Sequence, residues 1–256
     1  MRPLRPVSQL RDIRHKVLPA MTSGADTGEV LVKASALAIA SVLFTLPYFH
    51  YLTFVVLDGA PLPEGLDARN LLRTQLFLLF IVCLLSAMVG FSFSRRFKLP
   101  GFGNLKRFVQ SLPLLFVLAA IMTALSYFFF DRYFFQVAPI SYPGNSLYLM
   151  SIPFKGAFTE EIILRLCLVT LGVGLLHSKG GGVVLVSIVA PFFTIKYFHF
   201  LGMEVGLNYL FVVQLILSFA ANLLLGYLFV THGLLHSMAL KFMLGMKYFL
   251  VSWAMG

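Results

Sequence analysis

Residues 156–176 read GAFTEEIILRLCLVTLGVGLL. Eleven of these residues are Phe, Ile, Leu or Val, yet Glu160, Glu161 and Arg165 stand among them. Three charges near the centre of a membrane helix cost about 7 to 10 kcal/mol, and the eleven apolar side chains return only about 3 to 7 kcal/mol. The stretch is too apolar for a helix bathed in water and too charged to stand alone in lipid. It belongs inside a bundle of membrane helices, with its charges turned toward protein or a wet cavity.

The rest of the chain agrees. Hydrophobic residues make up 59% of the 256 residues and charged residues 12%, about half the charge share of a soluble domain. That excludes a soluble enzyme, a disordered tail, a coiled coil and a disulfide scaffold. Cys83 and Cys167 each lie in an apolar run, which argues against a disulfide or a thiol-based metal site. Apolar runs long enough for roughly 30 Å of hydrocarbon recur near 34–57, 74–93, 111–130, 147–177, 183–201, 207–230 and 234–252. None alternates with a period of two, so a β-barrel is excluded. The expected fold is all-α, a polytopic transmembrane helix bundle of about seven spans (six to eight). Residues 1–33 are expected to form a basic cytoplasmic tail and residues 34–256 the transmembrane domain. The first apolar run is too long for a cleavable signal and lacks a cleavage site.

Charge orients the chain. Its net charge of +10 suits an integral membrane protein whose partner is the lipid bilayer, and no nucleic acid is expected. Arg2, Arg5, Arg11, Arg14, Lys16 and Lys33, the 94–110 loop with Arg95, Arg96, Lys98, Lys106 and Arg107, and Lys179 fall on one side. Only Arg69, Arg73 and Arg132 fall on the other, beside Asp58, Glu64, Asp67, Asp131 and Glu204. The positive-inside rule then puts the N-terminus in the cytoplasm, in a cell (inner) membrane. The aromatic stretch YFFFDRYFF, 127–135, reads as an interfacial belt or as part of a substrate entrance.

Helical geometry separates the three charges of the opening stretch. Glu161 and Arg165 are spaced i,i+4, share a face, and are expected to pair. At 100° per residue, Glu160 lies about 100° from Glu161 and about 140° from Arg165. It is expected to be the unpaired carboxylate and the candidate general base. Pro153 is expected to break the run, so that the helix proper begins near Gly156 and Glu160 sits near its start. The next run, PFFTIKYFHF at 191–200, carries Lys196 and His199. Antiparallel spans would bring His199 to a depth similar to that of Glu160, and a Glu–His pair can hold and deprotonate a water. The segment GYLFVTHGLLHSMALKFMLG, 226–245, adds His232, His236 and Lys241. His232 is expected at a cytoplasmic turn, and Lys241 inside the span needs a carboxylate or a route to the interface. Lys155 is expected to snorkel or to stand near Glu160. There is no HExxH zinc spacing, no suitable GxSxG and no pair of Asp residues within spans. No metal or other cofactor is expected.

TEEIILR, residues 159–165, resembles the EExxxR motif of the CAAX-protease and bacteriocin-processing family, also called abortive-infection proteins, which are glutamic-type intramembrane proteases. The likeness covers a core of about residues 150–245. It implies that Glu160 and Glu161 match the paired glutamates, Arg165 the motif arginine, and His199 the second-motif histidine, with Ile195 where Phe is usual. In the third motif, normally a His followed four residues later by Asn, the best register puts Lys241 at the His and Gly245 at the Asn. Either Lys241 supplies a cationic donor to an oxyanion, or His236 does so through a distorted helix. The resemblance implies an endopeptidase with Glu160, Glu161, Arg165, His199 and Lys241 at its site and a membrane-associated peptide or protein tail as substrate. The departures at 241 and 245 leave open a catalytically degenerate member acting as an immunity or scaffolding protein. The buried glutamates leave open a proton-coupled transporter, although no inverted repeat is visible.

Overall fold

The computed structural model describes residues 24–57, 67–138, 141–192 and 209–255. Every regular element among them is helical. Helix α1 runs Gly24–Tyr51 and closes on a π turn, Leu52–Val56. Helix α2 is Ala68–Arg96. Helix α3 is Leu105–Ser126, carried on by a π turn, Tyr127–Asp131, and by Arg132–Val137. Helix α4 joins Ser146–Lys155, the π segments Gly156–Glu160 and Ile162–Val169, and Thr170–Leu176. Then follow α5, Lys179–Val189, α6, Tyr209–His232, α7, Leu234–Gly245, and α8, Lys247–Met255.

Five stretches are long and apolar enough to cross a membrane: Thr27–Val56, Ala68–Arg96, Leu105–Val137, Tyr209–His232 and Leu234–Ala254. Their outer faces carry Phe77, Leu114, Phe116, Ile216 and Leu250, each more than half exposed. Apolar surface of that size has no place in water. The chain is an integral membrane protein with an all-α transmembrane bundle. Helix α4 does not meet the same apolar standard because its four charges lie between residues 155 and 165. It is held in the middle instead, packed against α1, α2, α6 and α7.

Local chemistry sets the helix ends. Asp67, Asn104, Asn145 and Ser178 accept hydrogen bonds from the backbone N–H groups of Asn70, Arg107, Leu147 and Gly181, satisfying donors that a helix start leaves free. Arg95 and Arg96 lie in the last turn of α2, where cations meet the negative end of the helix. Within the spans, the Ser41 and Ser187 hydroxyls donate to carbonyls one turn back, Leu37 and Val183, so no water is needed to satisfy them. Ala34, Cys83, Ala87, Ile162, Leu166, Val169 and Phe229 belong to the largest core cluster, and small residues there let α1 and α2 approach closely.

Two close approaches place α7. At its start, Gly103 (φ 97°) and Gly233 (φ 103°) stand back to back. A Cβ on Gly233 would lie 2.6 Å from the Gly103 Cα. The Leu234 and Leu235 N–H groups donate to the Gly101 and Phe102 carbonyls, at 2.9 and 3.1 Å. At its end, a Cβ on Gly245 would lie 2.6 Å from the Pro153 Cα of α4. Gly245 thus serves helix contact where the motif comparison would have put Asn.

Pro153 does not end its helix as the sequence suggested. It lies inside Ser146–Lys155, and the chain continues directly into a π turn at Gly156. Proline withholds one N–H and crowds the carbonyl four residues back, and here the helix widens past it. Glu160 therefore stands near the middle of the 146–176 helix. Gly245→Ala should destabilise the protein by about 1 to 3 kcal/mol, because it forces α7 off α4. Gly28→Ala, with open space around its Cβ, should be neutral or stabilising by up to about 1 kcal/mol. Thermal unfolding of the two variants in detergent checks the contrast.

Candidate functional site

Glu160 looks into a cavity of about 530 Å³ lined by α1, α3, α4, α6, α7 and α8. The side chains of Lys155, Lys241 and Lys247 line the same space, as do Ser126, Gln214, Ser218 and Asn222. The rest of the wall is largely apolar, with Phe130, Phe134, Leu217 and Leu244. This is the size and make-up of a ligand site.

Glu160 is not the unpaired carboxylate expected from its sequence. Lys155 donates to Oε1 at 3.0 Å and the Lys241 ammonium stands 2.8 Å from Oε2. Helix geometry explains the first contact. Residues five apart on an α-helix lie about 140° from one another. The π turn Gly156–Glu160 instead bonds each residue to the fifth one along, so Lys155 and Glu160 come to one face. The second contact follows from the close packing of α7 on α4. Gly156 leaves the room that the Lys241 stem fills, a Cβ there lying 3.1 Å from Lys241 Cε. Lys155 also rests over the Tyr48 ring of α1, at 4.9 Å.

Glu161 and Arg165 lie behind this cluster, both fully buried. Arg165 Nε and Glu161 Oε2 are 3.5 Å apart, an ion-pair separation longer than a good hydrogen bond. Arg165 Nη2 also donates to Asn222 Oδ1, and Asn222 Nδ2 donates to the Ser218 carbonyl at 2.7 Å. The pair ties α4 to α6 and does not line the cavity. Asn222 was legible in principle as a lone amide in a largely apolar run, LSFAANLLL.

A second charged cluster was not foreseen. Asp131, expected in a solvent-facing loop, is 1% exposed. It accepts from Lys247 at 2.9 and 3.1 Å, from Ser126 at 2.6 Å and from the Tyr142 hydroxyl at 2.9 Å. Lys247 donates to Ser126 as well, at 2.8 Å. The 127–135 stretch is accordingly more than a belt. Phe128 and Phe129 are exposed, whereas Phe130 and Phe134 are buried and form cavity wall. The signal available in sequence was Lys247 itself, a second lysine six residues past Lys241 within one apolar run.

His236 is buried and meets the Phe108 ring edge-on at 5.5 Å. It does not line the cavity, so Lys241 and not His236 stands at Glu160. His232 is exposed at the α6–α7 turn, with its Nδ1 2.6 Å from the Thr231 hydroxyl. His199 and Lys196 lie outside the described residues. Comparison with family models, curated proteins and solved structures finds no match.

Glu161→Gln should leave Arg165 as a buried charge without its mate and cost about 3 to 5 kcal/mol. Asn222→Ala, which removes the second acceptor, should cost about 1.5 to 3 kcal/mol. Chemical or thermal unfolding measures both. Unchanged stability in Glu161→Gln would contradict a structural role for that carboxylate.

Proposed function

We propose that the chain is an intramembrane endopeptidase of the glutamic type, akin to the CAAX-protease and bacteriocin-processing family, acting on a membrane-associated peptide or protein tail. The observation that carries this reading is the meeting of the Glu160 carboxylate and the Lys241 ammonium, 2.8 Å apart, at the wall of a membrane-embedded cavity. Water reaching the cavity is held by Glu160. Its oxygen attacks the scissile carbonyl as Glu160 takes its proton, and that proton then passes to the departing amine. Lys241 faces the oxygen on which negative charge develops, the work that the family resemblance assigns to a third-motif donor. Lys155, on a flexible four-carbon stem, releases Oε1 as the substrate enters. His199 is the second water-holding group in this reading. Glu161 and Arg165 position the helix that carries Glu160.

The same reading counts seven spans, by adding α4 and α5 to the five apolar stretches. It places the end bearing Arg95, Arg96, Lys98, Lys106, Arg107 and Lys179 in the cytoplasm of a cell (inner) membrane.

One observation favours a second reading. Both oxygens of Glu160 already hold a lysine, which is also how a permanent helix clamp is built. The chain would then be a non-catalytic immunity or scaffolding member of that family. The two readings part on one variant. Glu160→Gln in proteoliposomes, and in a strain compared by proteomics with a deletion strain, should lower peptide cleavage at least about 100-fold. Expression should hold. Uncleaved membrane peptides should accumulate as they do in the deletion. A Glu160→Gln strain indistinguishable from wild type would support the scaffold.

A further inference from the structure

Among the described residues, the charges around the cavity do not cancel. Lys247 is matched by Asp131, and Arg165 by Glu161. Lys155 and Lys241 share one carboxylate, Glu160. Among the described residues the cavity therefore holds one positive charge more than it has negative charge to meet. In water such an excess would be trivial. Between apolar helices it is costly, and a negatively charged group on the occupant would offset it.

The two ammonium groups are suitably placed to receive one. Each has three N–H donors, and Glu160 engages one side of each. Their side chains remain about 30% exposed, toward the cavity. Glu160 also shows that the pair can grip a carboxylate from both ends. Polar groups of α6, Gln214 and Ser218, lie on the same lining, and Phe130, Phe134, Leu217 and Leu244 supply an apolar remainder.

We propose that this cavity binds an amphiphile with a single carboxylate, seated by Lys155 and Lys241, with its apolar body along the aromatic wall of α3. One excess charge suits one carboxylate. The walls suit an acyl chain or an apolar peptide end, and the two sources share the head-group chemistry. This site does not depend on hydrolysis, so binding measurements and cleavage measurements can fail separately.

The test uses the purified full chain in detergent, with dodecanoate at neutral pH as probe and dodecanol as its uncharged counterpart. An apolar peptide with a free C-terminus, and the same peptide amidated, form the second pair. Dodecanoate or the free-ended peptide should bind at least about tenfold tighter than its neutral twin, and the tighter of the two identifies the source. Lys155→Met and Lys241→Met should each weaken that binding about tenfold, the loss of one charged hydrogen bond. Lys155→Arg should restore it. Glu160→Gln removes the competing carboxylate and should tighten binding, a change of sign that poor folding cannot imitate. Equal affinity for charged and neutral probes, or lysine variants that bind as well as wild type, would overturn the proposal.

Discussion

Two ammonium groups, one from the same helix and one from a neighbour, close on a single carboxylate in the interior of the bundle. Much of the structure is arranged to allow that contact. Helix α4 could not tolerate Glu160 in lipid, so it is withdrawn to the middle, behind the apolar faces of the other spans. The π turn after Pro153 brings Lys155 round to Glu160. The missing side chains at Gly156 and Gly245 let α7 press in until Lys241 reaches the second oxygen. Each of these features departs from an ordinary apolar helix, and each has its reason in the same ion cluster.

The buried charges fall into two layers. Glu161, Arg165 and Asn222 form an inner layer that joins α4 to α6. Glu161 and Arg165 are fully buried and do not line the cavity, whereas Asn222 reaches its wall. The outer layer of Glu160, Lys155 and Lys241 lines the cavity and keeps part of its surface open. Farther along the cavity, Asp131 and Lys247 join α3 to α8 and add the Ser126 and Tyr142 hydroxyls. A hydrolytic centre and a static clamp would both need the inner layer. Under the proposed function, the outer layer faces a cavity because water and ligand have to reach it.

The membrane bundle was legible from composition and run length, because apolar residues in excess have only lipid to face. The Glu161–Arg165 pairing was legible because i,i+4 spacing holds closely enough through the helix that carries both. Glu160 was misjudged as unpaired because 100° per residue fails in a π turn, and because no pattern in one helix reveals what a neighbour brings. The sequence leaves Lys241 a carboxylate or a route to the interface, and the Gly245–Pro153 contact between α7 and α4 brings it to Glu160. Asp131 looked like a loop residue because it follows four aromatic residues and precedes an arginine. Its burial depends on Lys247, 116 residues away. The break expected at Pro153 failed because a helix held on several sides can widen where an isolated one would stop.

The clamp at Glu160 is tested most directly by a double-mutant cycle on stability, with Glu160→Gln, Lys241→Met and the two combined. Contact across 2.8 Å in a partly buried setting predicts a coupling of about 1 to 3 kcal/mol, with the double variant less damaged than the two single losses added together. Additive losses, with coupling near zero, would mean that the two side chains do not meet in the folded protein. The ion cluster on which the account rests would then be absent.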